Sequence, residues 1–219
     1  MSQKLLRAEN LGRRVAERWL WRGVTVQLGS QQQLALKGPS GAGKTLLLRA
    51  LAGLDAAQEG QVRLQDKALA AWAAPLYRTR VSYLHQRPAL FEGTVEDNLR
   101  RPFALQAHRT QHFDRERIII WLKHLGRSEG FLGLSAATLS GGEGQLTALL
   151  RILQLNPLVL LLDEATASLD PETVLRAESL LADWLTGGER ACIWTSHDPA
   201  QLARVADVSF DLTGYLGGH

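Results

Sequence analysis

Cysteine occurs once in the 219 residues, at Cys192. This excludes an internal disulfide framework and suits a reducing compartment. The residue falls in Ala191-Cys192-Ile193-Trp194, a run that reads as a buried strand, where a thiol serves as a small apolar filler. No apolar run approaches the ~20 residues a membrane-spanning helix needs. The first residues also lack the apolar segment of a signal peptide. Any membrane role is therefore expected to pass through a partner. Charge of one sign is scarce as well: 25 Lys and Arg against 22 Asp and Glu leave a net +3. The basic residues are scattered, with Arg13-Arg14 and Arg100-Arg101 only pairs, so nucleic acid is not an expected partner. Weak attraction to anionic headgroups would account for the charge equally. An apolar fraction of 45% and a charged fraction of 21% suit a globular α/β chain with a substantial interior.

What the chain does contain is glycine in one telling arrangement. Gly38, Pro39, Ser40, Gly41, Ala42, Gly43, Lys44 and Thr45 follow the apolar run Leu34-Ala35-Leu36 and precede Leu46-Leu47-Leu48. That order reads as strand, glycine-rich loop, helix. Successive backbone N–H groups of such a loop converge on an anion, and the helix start adds partial positive charge. Lys44 is placed to neutralise outer phosphates and the Thr45 hydroxyl to ligate Mg²⁺.

Along the chain, residues 5–28 read as short strands and turns, with Trp19 and Trp21 as core packing. Residues 60–64 alternate like an exposed strand, and 80–84 read as another that ends at His85-Gln86. From about 88 to 156 helical signals take over; Ile118, Trp121, Leu122 and Leu125 keep amphipathic spacing. The polar stretch 105–114 reads as a loop or helix end. His108 and His112 stand four apart without a nearby third ligand, so a solvated face is expected rather than a metal site. The run Leu158 to Leu162 is continuously apolar, as in a parallel sheet covered on both faces. Asp170-Pro171 opens a helix with Ala177, Leu180, Leu181, Trp184 and Leu185 as its buried stripe. The last clear strand is 191–195, and Gly214 to His219 are expected to fray.

The phosphate loop, Gln86, Asp163-Glu164 and His197 all follow strands, at the carboxyl edge where open α/β sheets bind ligands. Asp163, closing an apolar strand, suits Mg²⁺. Glu164 points elsewhere and suits a general base for water. His197 is placed to contact the terminal phosphate or to orient that water. A second glycine-rich turn, Ser140-Gly141-Gly142-Glu143, opens a helix and suits phosphate too. One nucleotide needs one cradle. The second is therefore expected to serve a nucleotide held by another subunit, in a two-fold, head-to-tail dimer enclosing two ATPs.

Five motifs in order, GPSGAGKT, the glutamine of YLHQRPALFEGTVEDNL, LSGGEGQ, LLLDEATASLD and TSHD, resemble the ATP-binding subunit of ABC transporters over nearly the full length. The resemblance implies an α/β fold: a P-loop NTPase core (1–86 and 157–219) with a mainly parallel sheet and an antiparallel β part, and an inserted helical subdomain (87–156). It implies Lys44 on the phosphates, Thr45 and Gln86 beside Mg²⁺, Glu164 as catalytic carboxylate and His197 as switch histidine. Ser140, Gly141 and Gly142 would complete the opposite site, with Asp170 linking the two. The segment after Gln86 would meet a polytopic membrane permease, placing the protein peripherally on the inner face of the membrane. Within the family, the Gln86 segment and the TSHD end look most like bacterial iron-export subunits. The alternative is a non-transport relative acting on DNA, ribosomes or cell-envelope machinery, although the long coiled coils or paired ATPase modules of such relatives are not present in this sequence.

The chain departs from the family at three places. Val15 stands where an aromatic ring usually stacks on adenine, so adenine has no stacking partner there unless Trp19 or another ring substitutes. Gly144 and Leu146 replace polar or basic residues of the signature; Gly144 lowers helix propensity by up to ~1 kcal/mol relative to Ala.

Overall fold

The computed structural model describes residues 4–217. The chain opens with a hairpin of two long strands, β1 (Lys4–Val15) and β2 (Arg18–Gly29), followed by β3 (Gln33–Lys37) and helix α1 (Lys44–Leu51). Next come β4 (Glu59–Leu64), β5 (Lys67–Ala68), α2 (Ala74–Arg80) and β6 (Val81–Leu84). Three helices follow, α3 (Val95–Arg100), α4 (Arg115–His124) and α5 (Gly141–Leu153). The chain then runs through β7 (Val159–Asp163), α6 (Pro171–Thr186), β8 (Ala191–Thr195), α7 (Pro199–Val205) and β9 (Val208–Asp211).

The strands form two sheets, β2-β1-β4-β5 and β6-β7-β8-β3-β9. The first is antiparallel and the second parallel throughout. Side chains alternate faces along a strand, and the central strands β7 and β8 of the parallel sheet are buried on both, while the edge strand β9 is largely exposed. Val159, Leu161, Ala191 and Ile193 join the antiparallel sheet and α1 in one apolar cluster. Leu160, Leu162, Cys192 and Trp194 join α3, α4, α5 and α6 in the other. Burying one Leu of this kind contributes roughly 1.5–3 kcal/mol. Every residue of β7 and β8 is buried, as continuous apolar strands in a covered parallel sheet should be. Cys192 is a core filler, its thiol pushed up to about 12 by burial.

Several local expectations are corrected. Residues 5–28 form two 12-residue strands rather than short ones. Their register shifts between Ala8 and Leu11, Leu11 and Arg13, and Arg13 and Arg14. Each such irregularity breaks the two-residue alternation without ending the strand. β4 is half-buried, because Val62 and Leu64, paired beside Ala8 and Leu6 of β1, enter the apolar cluster while Gly60 and Gln61 face out. Trp21 is in the core, but Trp19 is only partly buried, with the guanidinium groups of Arg14 and Arg22 over its ring at 4.2 and 4.8 Å. His108 is buried, and its Nδ1 lies 3.1 Å from Gln111 Oε1, so only His112 is on the solvated face. Leu212–Tyr215 form a 3-10 turn with Leu212 buried, and Leu216 bridges to Trp21; Gly218 and His219 lie outside the described residues. Among the described residues no helix is long and apolar enough to cross a membrane.

Candidate functional site

The turn from β3 into α1 carries the phosphate loop. Gly43, the N-cap of α1, has φ 85°, a left-handed conformation that side chains other than glycine's disfavour. A Cβ there would also stand 2.4 Å from Leu20 Cδ2 and 2.8 Å from Trp21 Nε1. Glycine is thus required twice over, by conformation and by the close approach of β2. Lys44 Nζ donates across the loop to the carbonyls of Gly38 (2.8 Å) and Pro39 (3.1 Å). The first turn of α1 presents its free N–H groups to the same space. Gly38, Pro39 and Ala42 belong to the loop without lining its cavity; Ala42 is buried and its N–H donates to the Pro39 carbonyl at 3.1 Å. Ser40, Gly41, Gly43, Lys44 and Thr45 line a cavity of about 460 Å³, together with Val15, Leu20, Leu46, Asp163, Glu164 and His197.

Asp163 and Glu164, neighbours at the end of β7, diverge. Asp163 is 4% exposed and turns inward. Its Oδ2 accepts from Thr45 Oγ1 and from Tyr83 Oη, both at 2.8 Å, and its Oδ1 from Thr195 Oγ1 at 3.0 Å. Three hydroxyl donors compensate a carboxylate taken out of water. The Tyr83 phenol is raised above its ordinary pKa, first by burial and then by its bond to Asp163. Glu164 turns to the other side. Its Oε1 lies 2.7 Å from His197 Nε2, and its Oε2 accepts from Gln86 Nε2 at 2.5 Å. Its own backbone is left-handed, φ 50°, and is held there by its N–H, which donates to the carbonyl and hydroxyl of Thr195. A non-glycine residue in that region is strained, as functional sites often are.

Three strand ends therefore deliver their groups to one edge: β6 leads to Gln86, β7 to Asp163 and Glu164, β8 to His197. Gln145, to which the sequence alone assigned no role, ties two of these segments together. It is 1% exposed; its Nε2 donates to the carbonyls of Gln86 (3.0 Å) and Glu164 (3.2 Å), and its Oε1 accepts from the Ser168 N–H (3.0 Å). A glutamine among the buried, mostly apolar residues of α5 was the available signal. Tyr83 and Thr195 were also missed. Their partner Asp163 is 80 and 32 residues away in sequence.

The second glycine-rich turn is elsewhere. Ser140 is the N-cap of α5 and forms a capping box: its N–H and Oγ donate to Glu143 Oε2 at 2.9 and 2.8 Å, and the Glu143 N–H returns to Ser140 Oγ at 3.3 Å. The Ser140 backbone bond, then its hydroxyl, lower the Glu143 pKa below its usual value. Gly142 packs against the chain, since a Cβ would meet the Ser168 carbonyl at 2.7 Å. Ser140, Gly141 and Gly144 line a separate cavity of about 450 Å³ with Gln86, Arg87 and Ser168. Asp170 caps α6, accepting from the Thr173 N–H (2.9 Å) and Oγ1 (2.6 Å), the hydroxyl being the larger cause of its lowered pKa. Gln86 thus stands between two cavities, bonded to Glu164 of the first and lining the second. Leu146, the apolar signature residue, is fully buried.

The apolar side chains that line the phosphate-loop cavity are aliphatic, Val15, Leu20 and Leu46, and Val15 is 52% exposed. Trp19 does not line the cavity, and its ring is taken up by Arg14 and Arg22.

The site thus combines an anion-binding loop, oxygen ligands suited to a hard cation and a carboxylate held between an amide and an imidazole. The family model described as ABC transporter matches residues 21–167. A probable iron export ATP-binding protein of Escherichia coli (strain K12), FetA, is 30% identical over 198 residues, 90% of this chain and 87% of that protein. A solved ATP-binding subunit of an ABC transporter has the same fold, with TM-score 0.85 at 24% identity over 95% of this chain and 86% of the other. So does a dimeric ATP-binding cassette in a post-hydrolysis state bound to ADP and Pi, with TM-score 0.81 at 23% identity over 95% and 94%. The chain therefore belongs to the ABC transporter family, as one of its ATP-binding, ATP-hydrolysing subunits.

Proposed function

We propose that this subunit hydrolyses ATP through Glu164 and conveys the resulting opening and closing of a dimer to a polytopic membrane permease. The observation that carries the reading is Glu164 itself, held at 2.5 Å by Gln86 and 2.7 Å by His197 on the edge of the phosphate-loop cavity. In this reading the loop N–H groups and Lys44 bind the phosphates, with Lys44 exchanging its carbonyl partners for phosphate oxygens. Glu164 takes a proton from the attacking water, and His197 holds Glu164 and faces the terminal phosphate.

Mg²⁺ fits the oxygen donors that line the cavity, the Thr45 hydroxyl and the Asp163 carboxylate, with Gln86, tied to that cavity through Glu164, able to add its amide oxygen. Bound there, the ion would neutralise charge on the phosphates. Thr45 and Gln86 are the proposed direct ligands, and Asp163, which holds Thr45 in place, is the proposed ligand through water.

Ser140, Gly141, Gly142, Glu143 and Asp170 lie outside the chain's own phosphate cavity, which supports their serving a nucleotide held by a second copy in a head-to-tail dimer. Each ATP would then bridge two subunits, so that binding closes the dimer and hydrolysis opens it. Residues 87–156 are the proposed helical subdomain through which Gln86 reports the nucleotide state to the permease. The protein would lie on the cytoplasmic face of the membrane, held there by that partner.

The proposed cargo is iron, moved outward, on the likeness to the Escherichia coli relative named for iron export. Among the described residues no group of three His, Cys, Asp or Glu could hold a metal, so cargo selection is assigned to the permease. Affinity purification of the tagged chain from native membranes in mild detergent tests the coupling. Recovery of a polytopic protein at near-equal stoichiometry supports it; recovery of only soluble or nucleic-acid-bound partners contradicts it.

A further inference from the structure

Behind the Glu164–His197 pair, out of the nucleotide cavity, lies a closed set of polar side chains. Thr166, Glu178 and Gln201 are 7%, 9% and 3% exposed. Gln201 Nε2 donates to Thr166 Oγ1 and to Glu178 Oε1, both at 2.9 Å, and Thr166 Oγ1 lies 3.3 Å from Gln201 Oε1. Glu178 is further held by Arg204, whose Nε and Nη2 donate to it at 2.7 and 2.8 Å. Buried amides and carboxylates are costly when unpaired and stiff when every partner is present.

The positions of these residues give the set its meaning. Thr166 follows Glu164 by two residues, and Gln201 follows His197 by four, on α7. The chain between His197 and Gln201 is itself locked: the Asp198 N–H donates to Ser196 Oγ, and Asp198 Oδ1 caps α7 through the Ala200 N–H. The pair Gln201–Thr166 therefore connects the segment carrying Glu164 to the helix that follows His197, on a path separate from the β7–β8 ladder. Glu178, midway along α6, anchors the connection to a third element. Gln201 does not line the nucleotide cavity.

We propose that Gln201, through Thr166 and Glu178, is a positioning residue for hydrolysis that fixes His197 against Glu164. The proposal rests on the reading of Glu164 and His197 as the hydrolytic pair. Gln201→Leu replaces the amide by an apolar side chain of similar size, and Thr166→Val removes the hydroxyl while keeping the shape. The measurements are kcat and KM for ATP, the Kd of a fluorescent ATP analogue, the melting temperature and the coupling of each variant to His197→Ala.

Both variants are expected to lower kcat about tenfold, a part of the roughly 10²-fold that a 1 Å misplacement can cost, with Kd changed less than about twofold. In the His197→Ala background neither should lower kcat further, because the group they position is gone. An unchanged kcat in the folded variants would overturn the proposal. So would a loss of ATP affinity equal to the loss of kcat, or effects that add to those of His197→Ala. Should Gln201→Leu not fold, Thr166→Val decides alone. Undiminished turnover in Glu164→Gln would instead remove the underlying reading, whatever the Gln201 variants do.

Discussion

Tyr83 donates its hydroxyl to Oδ2 of Asp163 at 2.8 Å, sharing that oxygen with Thr45. The tyrosine comes from β6, the strand that runs on to Gln86, so one bond links the proposed metal-side carboxylate to the segment bearing a proposed metal ligand. Tyr83→Phe removes one of the three hydroxyls that orient Asp163 and leaves the ring in place. Hydrogen bonds that orient a carboxylate beside a metal are worth roughly 10–100-fold in metal affinity. The variant is expected to need about tenfold more Mg²⁺ for half-maximal binding of a fluorescent ATP analogue, while metal-free nucleotide binding stays unchanged. An unaltered Mg²⁺ titration would show that Thr45 and Thr195 orient Asp163 unaided.

The aliphatic lining of the cavity predicts weak discrimination among bases. Val15 and Leu20 offer no hydrogen-bonding side-chain atoms and no ring. ATP and GTP are therefore expected to bind within about threefold of each other, since the phosphate loop supplies most of the affinity. Val15→Tyr adds a stacking surface worth about 1 kcal/mol or more and should tighten ATP binding roughly fivefold. Calorimetric titration of both nucleotides against both proteins checks this; strong ATP preference in the unaltered chain would contradict it.

Acid should weaken the α5 cap. The folded state lowers the Glu143 pKa from its ordinary 4.5 through bonds from Ser140. A depressed carboxyl contributes stability that is fully present above 4.5 and is lost as pH falls through the lower folded value. Glutamine at this position still accepts from Ser140 but does not titrate, so Glu143→Gln should show a shallower loss of melting temperature below pH 4.5 than the unaltered chain. Ser140→Ala should cost about 1 kcal/mol at neutral pH. Melting curves across pH 3–7 (roughly the range over which such a group titrates) test both.

The phosphate loop, Asp163, Glu164 and His197 were legible because each is local chemistry at a strand end, and glycine spacing with apolar runs marks those ends. The parallel sheet was legible from Leu158 to Leu162 for the same reason. The long β1–β2 hairpin was not, since its register shifts erase the alternation that identifies a strand. Nor was the burial of His108, which depends on Gln111 and on helices packed around it rather than on the polarity of its neighbours. Tyr83, Thr195, Gln145 and Gln201 escaped because their roles are set by partners far along the chain. Strand order and sheet register bring those partners together.

The central claim is that Glu164 activates water while the loop binds nucleotide. It is tested most directly by Glu164→Gln, measuring ATP turnover together with dimer formation by light scattering. The amide can keep contacts to Gln86 and His197 but cannot take a proton. Turnover should fall by roughly 10²-fold or more, with nucleotide affinity retained and an ATP-bound dimer accumulating. Turnover undiminished in that variant would contradict the assignment.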